Sequence, residues 1–391
     1  MNLVFITEAR FIKDAKGDIY GPTSFNRDLW KRYLNIFPHV YIMARVFPDE
    51  KYKGKEEYLS STNGVTFIEL PYYVGLEQFL SKYFRLKKKI QQAVNMHKND
   101  HYICRVPGTI SNIAIKELKK INKNYAVEVV GDPEDVFSKG ALKHPLRPLI
   151  RELSTANLKK VVKGCFAALY VTEHALQKKY PSENAHFITS ATNVMLKENE
   201  LLDKPKLKRE KGPYQIISIG TLDQMYKAPD IVLKAIKQLR DSGMDCRLIW
   251  LGGGKYLNEM KLLSKSLKIE DVAEFKGNVS KQEVNYYLEK SDLFVLASRQ
   301  EGLPRVVVEA MAKGLPCIGT NVGGIPELLD KNVLIPKNSV SDLVSKVSEI
   351  LNNADYYYSQ SERNLTVARK YTGTILNKKR ESFYRFIINN L

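Results

Sequence analysis

Residues 298–329 read SRQEGLPRVVVEAMAKGLPCIGTNVGGIPELL, and two carboxylates in this stretch do not look like ordinary surface charge. Glu301 sits beside Gly302 and Pro304, and Glu309 follows after seven residues, inside an apolar run. The preceding DLFVLAS (292–298) is a continuous apolar run of strand length, so RQEGLP is a loop at a strand's carboxyl end. Pro304 suits the first turn of a helix, where its missing N–H is not needed. That helix runs from about 304 to 313, with Gly314 as its stop. Glu301 then lies in the loop and Glu309 about one and a half turns into the helix. Free N–H groups at the helix start make an anion site, and a carboxylate beside it can accept from ligand hydroxyls. Taken alone, each Glu reads first as ordinary charge, Glu301 exposed in the loop and Glu309 paired to a nearby Lys or Arg. The loop, helix start, Glu309 and VGGIPE in register together favour a ligand site.

Outward from this stretch the chain alternates apolar runs with helical patterns. LVFIT (3–7), VYIMA (40–44), VTFIEL (65–70), YICRV (102–106), YAVEVV (125–130) and FAALYV (166–171) read as strands of a parallel sheet covered on both faces. Helical patterns lie between them, at 24–37, 77–97 and 111–121. Residues 196–213, charged and Pro-containing, read as a linker. The alternation then restarts with strands at 215–220, 246–254, 272–277 and 292–298 and helices at 228–241, 256–267 and 281–290. A helical stretch follows from about 339 to the end. The expectation is α/β: a Rossmann-like domain over 1–195, a linker over 196–213, and a second Rossmann-like domain over 214–370. In such sheets ligands bind beyond the carboxyl ends of the strands.

Composition narrows the classes. At 391 residues two domains are expected. No stretch approaches the ~20 apolar residues that span a bilayer. The N-terminus, MNLVFITEAR, reads directly into a strand without a signal-peptide pattern, so a cytoplasmic chain is expected, at most peripheral on the inner face of the membrane. Cys104, Cys165, Cys246 and Cys317 each lie within or against apolar runs and read as buried reduced thiols. The six histidines form no HExxH pair, and no metal is expected. The net charge of +18 favours anionic partners. Nucleic acid would require a reading motif or a basic module with interleaved stacking aromatics, and neither is present.

EGLPRVVVEAMAKGLPCIGTNVGGIPELL resembles the Glu-x7-Glu signature of the GT-B retaining glycosyltransferases of family 4. IISIGTLDQMYKAPDIVLKAI (216–236) is similar to that family's strand-loop-Lys-helix segment, and LIWLGGG (248–254) and AEFKGNVS (273–280) to its next two strand ends. The resemblance implies two Rossmann-like domains facing a central cleft, the first on the acceptor side and the second binding the nucleotide-sugar, with residues 371–391 crossing back to the first domain. It implies hexosyl transfer, with configuration retained, from a nucleotide-diphospho-sugar to a glycan or lipid-linked acceptor, the setting being cell-surface polysaccharide synthesis. The nucleotide-sugar is a co-substrate, and no cofactor is implied. By the same resemblance Glu301 approaches the donor sugar, Glu309 binds the ribose hydroxyls and Lys227 contacts the diphosphate. Gly220, Thr221, Gly252, Gly277, Val279, Gly302, Leu303, Pro304 and Arg305 line the donor site. The family's usual Arg is replaced by Thr221. Arg305 is the first candidate to supply the missing cation and Arg299 the second, while a plain surface role stays open for Arg305. The departures also keep open a GT-B-like scaffold subunit without catalysis.

Over residues 1–200 the resemblance rests on organisation. Gly21, in GPTSFN, stands where the family has its Gly-rich loop, though a turn glycine looks the same. Asp132 stands at about the place of a family His and reads either as a catalytic, acceptor-side carboxylate or as the cap of a turn. Arg105 at the end of YICRV either meets an anionic group or pairs with Asp132. The segments 76–94 and 142–164 carry many cations, interleaved in the first with Phe79, Leu80, Tyr83, Phe84, Leu86 and Ile90. Each reads either as a solvated helix face or as a dock for an anionic membrane.

Overall fold

The computed structural model describes residues 1–136 and 147–391. It divides into two compact units, Met1–Ala191 with Asn377–Leu391, and Thr192–Leu376. Each is built on one twisted sheet with helices around it.

The first sheet contains β1 (Leu3–Lys13), β2 (Ile19–Tyr20), β3 (Val40–Pro48), β4 (Val65–Leu70), β5 (His101–Val106), β6 (Ala126–Val129), β7 (Ala167–Tyr170) and β8 (Phe187–Ser190). Its order is β4-β3-β1-β5-β6-β7-β8, all parallel, with β2 antiparallel to β1. The second contains β9 (Tyr214–Ile219), β10 (Cys246–Leu251), β11 (Ala273–Gly277), β12 (Leu293–Leu296), β13 (Cys317–Thr320) and β14 (Leu334–Ile335) in the order β11-β10-β9-β12-β13-β14, also parallel. Central strands such as LFVL of β12 are buried throughout, because helices cover both faces. The helix Pro229–Asp241 buries Ile231, Val232, Leu233, Ala235, Ile236 and Leu239 and leaves its charges outward. All four cysteines are free and buried, and burial pushes the Cys165 and Cys246 thiols up to about 12 and about 11.

Three sequence expectations are corrected. Residues 196–213 are not a free connector but part of the second unit. The Leu202 N–H donates to the Ala312 carbonyl at 2.9 Å and the Lys206 N–H to Ser361 Oγ at 2.7 Å. Charged side chains marked this strap as a linker, but its main chain finds fixed partners. β1 runs past residue 7 to Lys13, with a register shift between Ile6 and Arg10 and a short return strand, β2. The stretch from 339 onward is three helices, Val340–Asn352, Ala354–Arg369 and Gly373–Asn390. The last of these brings Phe386 against Phe166 and Phe187 within the first unit, with ring centroids at 5.8 and 5.0 Å.

Candidate functional site

In the second sheet β9 is followed in space by β10 and β11 on one side and by β12 and β13 on the other. The loops after β9 and β12 therefore diverge, and the crevice at their carboxyl ends is the topological switch point where open α/β sheets bind ligands. Lys227 comes from the first loop and Glu301 from the second. The Lys227 ammonium lies 2.5 Å from Glu301 Oε1, with both side chains about nine-tenths buried. Ser298 Oγ also donates to Glu301 Oε1, at 2.6 Å, and Thr320 Oγ1 donates to the Ser298 carbonyl at 2.5 Å.

Glycines bring the loops this close. The Lys227 side chain crosses Gly220, where a Cβ would stand 2.8 Å from Lys227 Cγ. Gly252, at φ +125°, presses on the Gly220 carbonyl, 2.2 Å from where its Cβ would be, and its N–H donates to the Gly277 carbonyl at 2.7 Å. The Gly324 N–H holds the Gly302 carbonyl at 2.7 Å. Leu303 packs beside Gly324, and Val279 lies half-buried against the core. Pro304 caps the helix Arg305–Ala312, whose first N–H groups have no intrahelical acceptor.

Glu309 is largely buried on that helix, and among the described residues its carboxylate has no hydrogen-bond or ion-pair partner. Burial raises its pKa against the opposing pull of Arg305 and Lys281, and Glu200 raises it further. Arg305 is exposed and free of any ion pair within 4.0 Å among the described residues, so its guanidinium is available. Thr221 is committed instead, its hydroxyl donating to Asp223 Oδ2 at 2.7 Å.

Arg299 is not a spare phosphate cation. Its guanidinium grips Asp230 at 3.0 and 2.8 Å and the Met225 carbonyl at 2.6 Å, while its Nε reaches Asn338 at 2.7 Å. Its backbone N–H donates to the Tyr226 carbonyl at 2.7 Å. Arg299 thus clamps the turn Met225–Lys227 that carries the lysine. Sequence reading missed this role and that of Ser298. The register of Asp230 in the first helical turn was the available signal.

Residues 199–366 match the family described as Glycosyl transferases group 1. Over 379 residues the chain is 30% identical to protein CapJ of Staphylococcus aureus, covering 95% of this chain and 90% of that one. The chain belongs to the glycosyl transferases group 1 family. The structure of the lipopolysaccharide outer core galactosyltransferase WaaB in its apo form matches 100% of both chains with a TM-score of 0.70 at 15% identity. Anabaena Alr3699/HepE in complex with UDP matches 98% of this chain and 99% of that one, with a TM-score of 0.65 at 12% identity. These likenesses establish the GT-B fold, with two parallel-sheet Rossmann-like domains.

In this group 1 glycosyltransferase chain the first unit departs from the sequence reading. Asp132 is saturated: Tyr180 OH and Lys179 Nζ reach its two oxygens at 2.5 Å each, and Oδ1 accepts the Glu134 N–H at 2.9 Å. The capping role is the one its contacts fill. Arg105 does not pair with Asp132 and lies over the Phe25 ring, 4.9 Å from its centroid. At Gly21 the close approach is internal, since a Cβ would meet the Phe11 ring at 2.6 Å.

The helix Gly75–Met96 sorts its apolar residues by face. Leu86 and Ile90 are buried, and Phe79 and Tyr83 pack on the core. Leu76, Leu80 and Phe84, four residues apart, point outward with exposures of 48, 60 and 82%. Arg85, Lys87 and Lys88 on this helix carry no ion pair among the described residues. In the other basic segment, Leu149 and Leu153 are exposed on the helix Arg147–Lys163, and residues 142–146 lie outside the described residues. No helix among the described residues is long and apolar enough to cross a membrane.

Proposed function

We propose that this chain is a retaining family 4 glycosyltransferase moving a hexosyl unit from a UDP- or GDP-sugar to a glycan or lipid-linked acceptor in cell-surface polysaccharide synthesis. The observation that carries the reading is the Lys227–Glu301 pair at the switch point of the second sheet, beside the start of the helix Arg305–Ala312. Without donor the two charges satisfy each other. A bound diphosphate takes the ammonium and helix N–H groups, releasing the Glu301 carboxylate to accept sugar hydroxyls. Glu309, unpartnered, accepts the ribose hydroxyls, and Arg305 supplies the cation absent at Thr221.

As the C1–O bond to the diphosphate breaks, negative charge grows on the leaving oxygen, where Lys227 and Arg305 stabilise it most. The acceptor oxygen bonds to C1 from the same face and passes its proton to a donor phosphate oxygen, so retention needs no protein base. The reading calls on no resident metal. HepE, crystallised with UDP, and WaaB, a lipopolysaccharide galactosyltransferase, support the donor class and a cell-surface glycan acceptor. For a lipid-linked acceptor, the outward Leu76, Leu80 and Phe84 with Arg85, Lys87 and Lys88 supply an anionic-membrane dock on the inner face.

The test is thermal stabilisation by UDP, GDP, ADP and their sugar conjugates, with Glu309→Ala and Lys227→Ala alongside. A base-selective shift lost in both variants supports the donor site. A folded chain that shifts with no nucleotide sinks it. The second reading, a scaffold subunit without catalysis, is favoured by the Thr221–Asp223 bond that replaces the usual arginine. It predicts nucleotide binding with no slow hydrolysis of any bound sugar conjugate.

A further inference from the structure

The first sheet has its own switch point. β3 and β4 lie on one side of β1, and β5 to β8 on the other. At the carboxyl end of the shared β1–β5 ladder, where β1 shifts register between Ile6 and Arg10, stands Glu8. Such irregularities re-aim side chains beside functional sites. Glu8 Oε1 accepts the N–H of Ile110, in the first turn of the helix Thr109–Lys120. Arg45 Nη2 lies 3.1 Å from Glu8 Oε2. Gly108 makes room, since a Cβ there would stand 2.8 Å from Glu8 Cγ.

A cavity of about 250 Å³ opens on this carboxylate, with Asn112, Asn157 and Ser154 on its walls and Pro107 and Leu158 as apolar surface. Glu8 is its one ionisable lining group among the described residues, and no Lys or Arg lines it. The half-buried Asn112 and Asn157 amides have no hydrogen-bond partner among the described residues.

These features select the ligand's chemistry. The helix N-terminus that would attract a phosphate is already filled by the protein's own carboxylate, and a second anion there would meet a like charge. Tyr73 OH also donates to Glu8 Oε2, at 3.5 Å, so what stays open is the remaining acceptor capacity of Glu8 and both donor and acceptor capacity on two amides. A neutral polyol matches that set: its hydroxyls donate to Glu8, and donate to and accept from the amides. Its C–H face lies on Pro107 and Leu158.

We propose that this cavity holds one neutral pyranose ring of the acceptor glycan, with Glu8, Asn112 and Asn157 determining which sugar is accepted. The inference rests on the glycosyltransferase reading and adds the acceptor's chemical class and the side chains of the first unit that read it.

The test uses the whole chain and saturation-transfer NMR with methyl glucopyranosides, galactopyranosides and mannopyranosides of both anomeric forms. Ring-proton saturation is expected for at least one of them. It should persist under saturating UDP and fall at least fivefold in Asn112→Ala/Asn157→Ala, whose substitutions suit a helix interior. No saturation with any pyranoside, loss of signal on adding UDP, or an unchanged signal in the double variant each overturns the proposal. The UDP-dependent thermal shift, read on the same samples, separates the two failures. A shift without saturation defeats the cavity alone, and saturation without any nucleotide shift overturns the acceptor assignment.

Discussion

Gly323 stands directly against Glu301: a Cβ on Gly323 would lie 1.8 Å from the Glu301 carbonyl oxygen. The glycine is at φ +54°, a conformation L side chains rarely adopt. The loop that carries the carboxylate is thus moulded on the turn after β13. Gly323→Ala must push the two loops apart. It is expected to cost about 2–4 kcal/mol in urea unfolding and to abolish the nucleotide-dependent thermal shift. A variant with wild-type stability and shift would show that the contact does not position Glu301.

Lys227 and Glu301 should behave as a unit. Removing one partner of a buried pair leaves an uncompensated charge, so Lys227→Ala is expected to destabilise by about 3 kcal/mol. Adding Glu301→Gln should return much of that loss without restoring nucleotide binding. A double-mutant cycle in urea reads the coupling, and strict additivity would show the pair to be energetically idle.

In the proposed function Glu309 sets ligand binding against stability. Its folded pKa is raised, chiefly by burial, so the folded state holds the proton more tightly than the unfolded chain does. Stability from this group therefore falls as pH rises from the ordinary value of 4.5 through the raised folded value. Glu309→Gln is expected to melt higher than wild type at pH 7 while losing the nucleotide shift. Wild-type nucleotide affinity should also drop as pH falls and the carboxyl takes up its proton. A variant that melts lower at pH 7 would contradict the burial argument.

Arg299 acts through the turn it clamps. Arg299→Lys keeps the charge but loses the two-pronged grip on Asp230. The expected cost is about 1–2 kcal/mol of stability, with a roughly tenfold weaker nucleotide Kd measured by calorimetry. An unchanged Kd would mean that Lys227 holds its place without the clamp.

Membrane docking predicts co-sedimentation with vesicles containing anionic lipid, weakened by salt. Each cation near the surface contributes about 1 kcal/mol, so Lys87→Gln/Lys88→Gln should weaken binding about 30-fold. Leu80→Ser/Phe84→Ser should lower it even at low salt, since both side chains are outward. Equal sedimentation with neutral vesicles would remove the electrostatic part of this reading.

The α/β class and most strands were legible because covered parallel strands are uniformly apolar and the loops between them are not. LFVL and the Glu-x7-Glu spacing placed Glu301 in the loop after β12 and Glu309 on the helix that follows, where the structure has them. The strap at 196–213 misled, since charge along a segment says nothing about whether its backbone finds partners. Asp132 misled likewise: its place at a strand end was right, yet Tyr180 and Lys179, 48 and 47 residues away, had already claimed its oxygens.

Sequence alone determined the order of most strands and helices, the glycines at the strand ends and the residue types of the candidate site. These follow from local periodicity and from backbone positions that admit no side chain. Tertiary structure decided the partnerships: that Lys227 meets Glu301 across 74 residues, that Arg299 holds a turn and not a phosphate, and that Glu8 closes a helix end beside a cavity. Such pairings depend on which strands lie adjacent in the sheet, and strand order is fixed by the packing of the whole unit, not by any local stretch of chain.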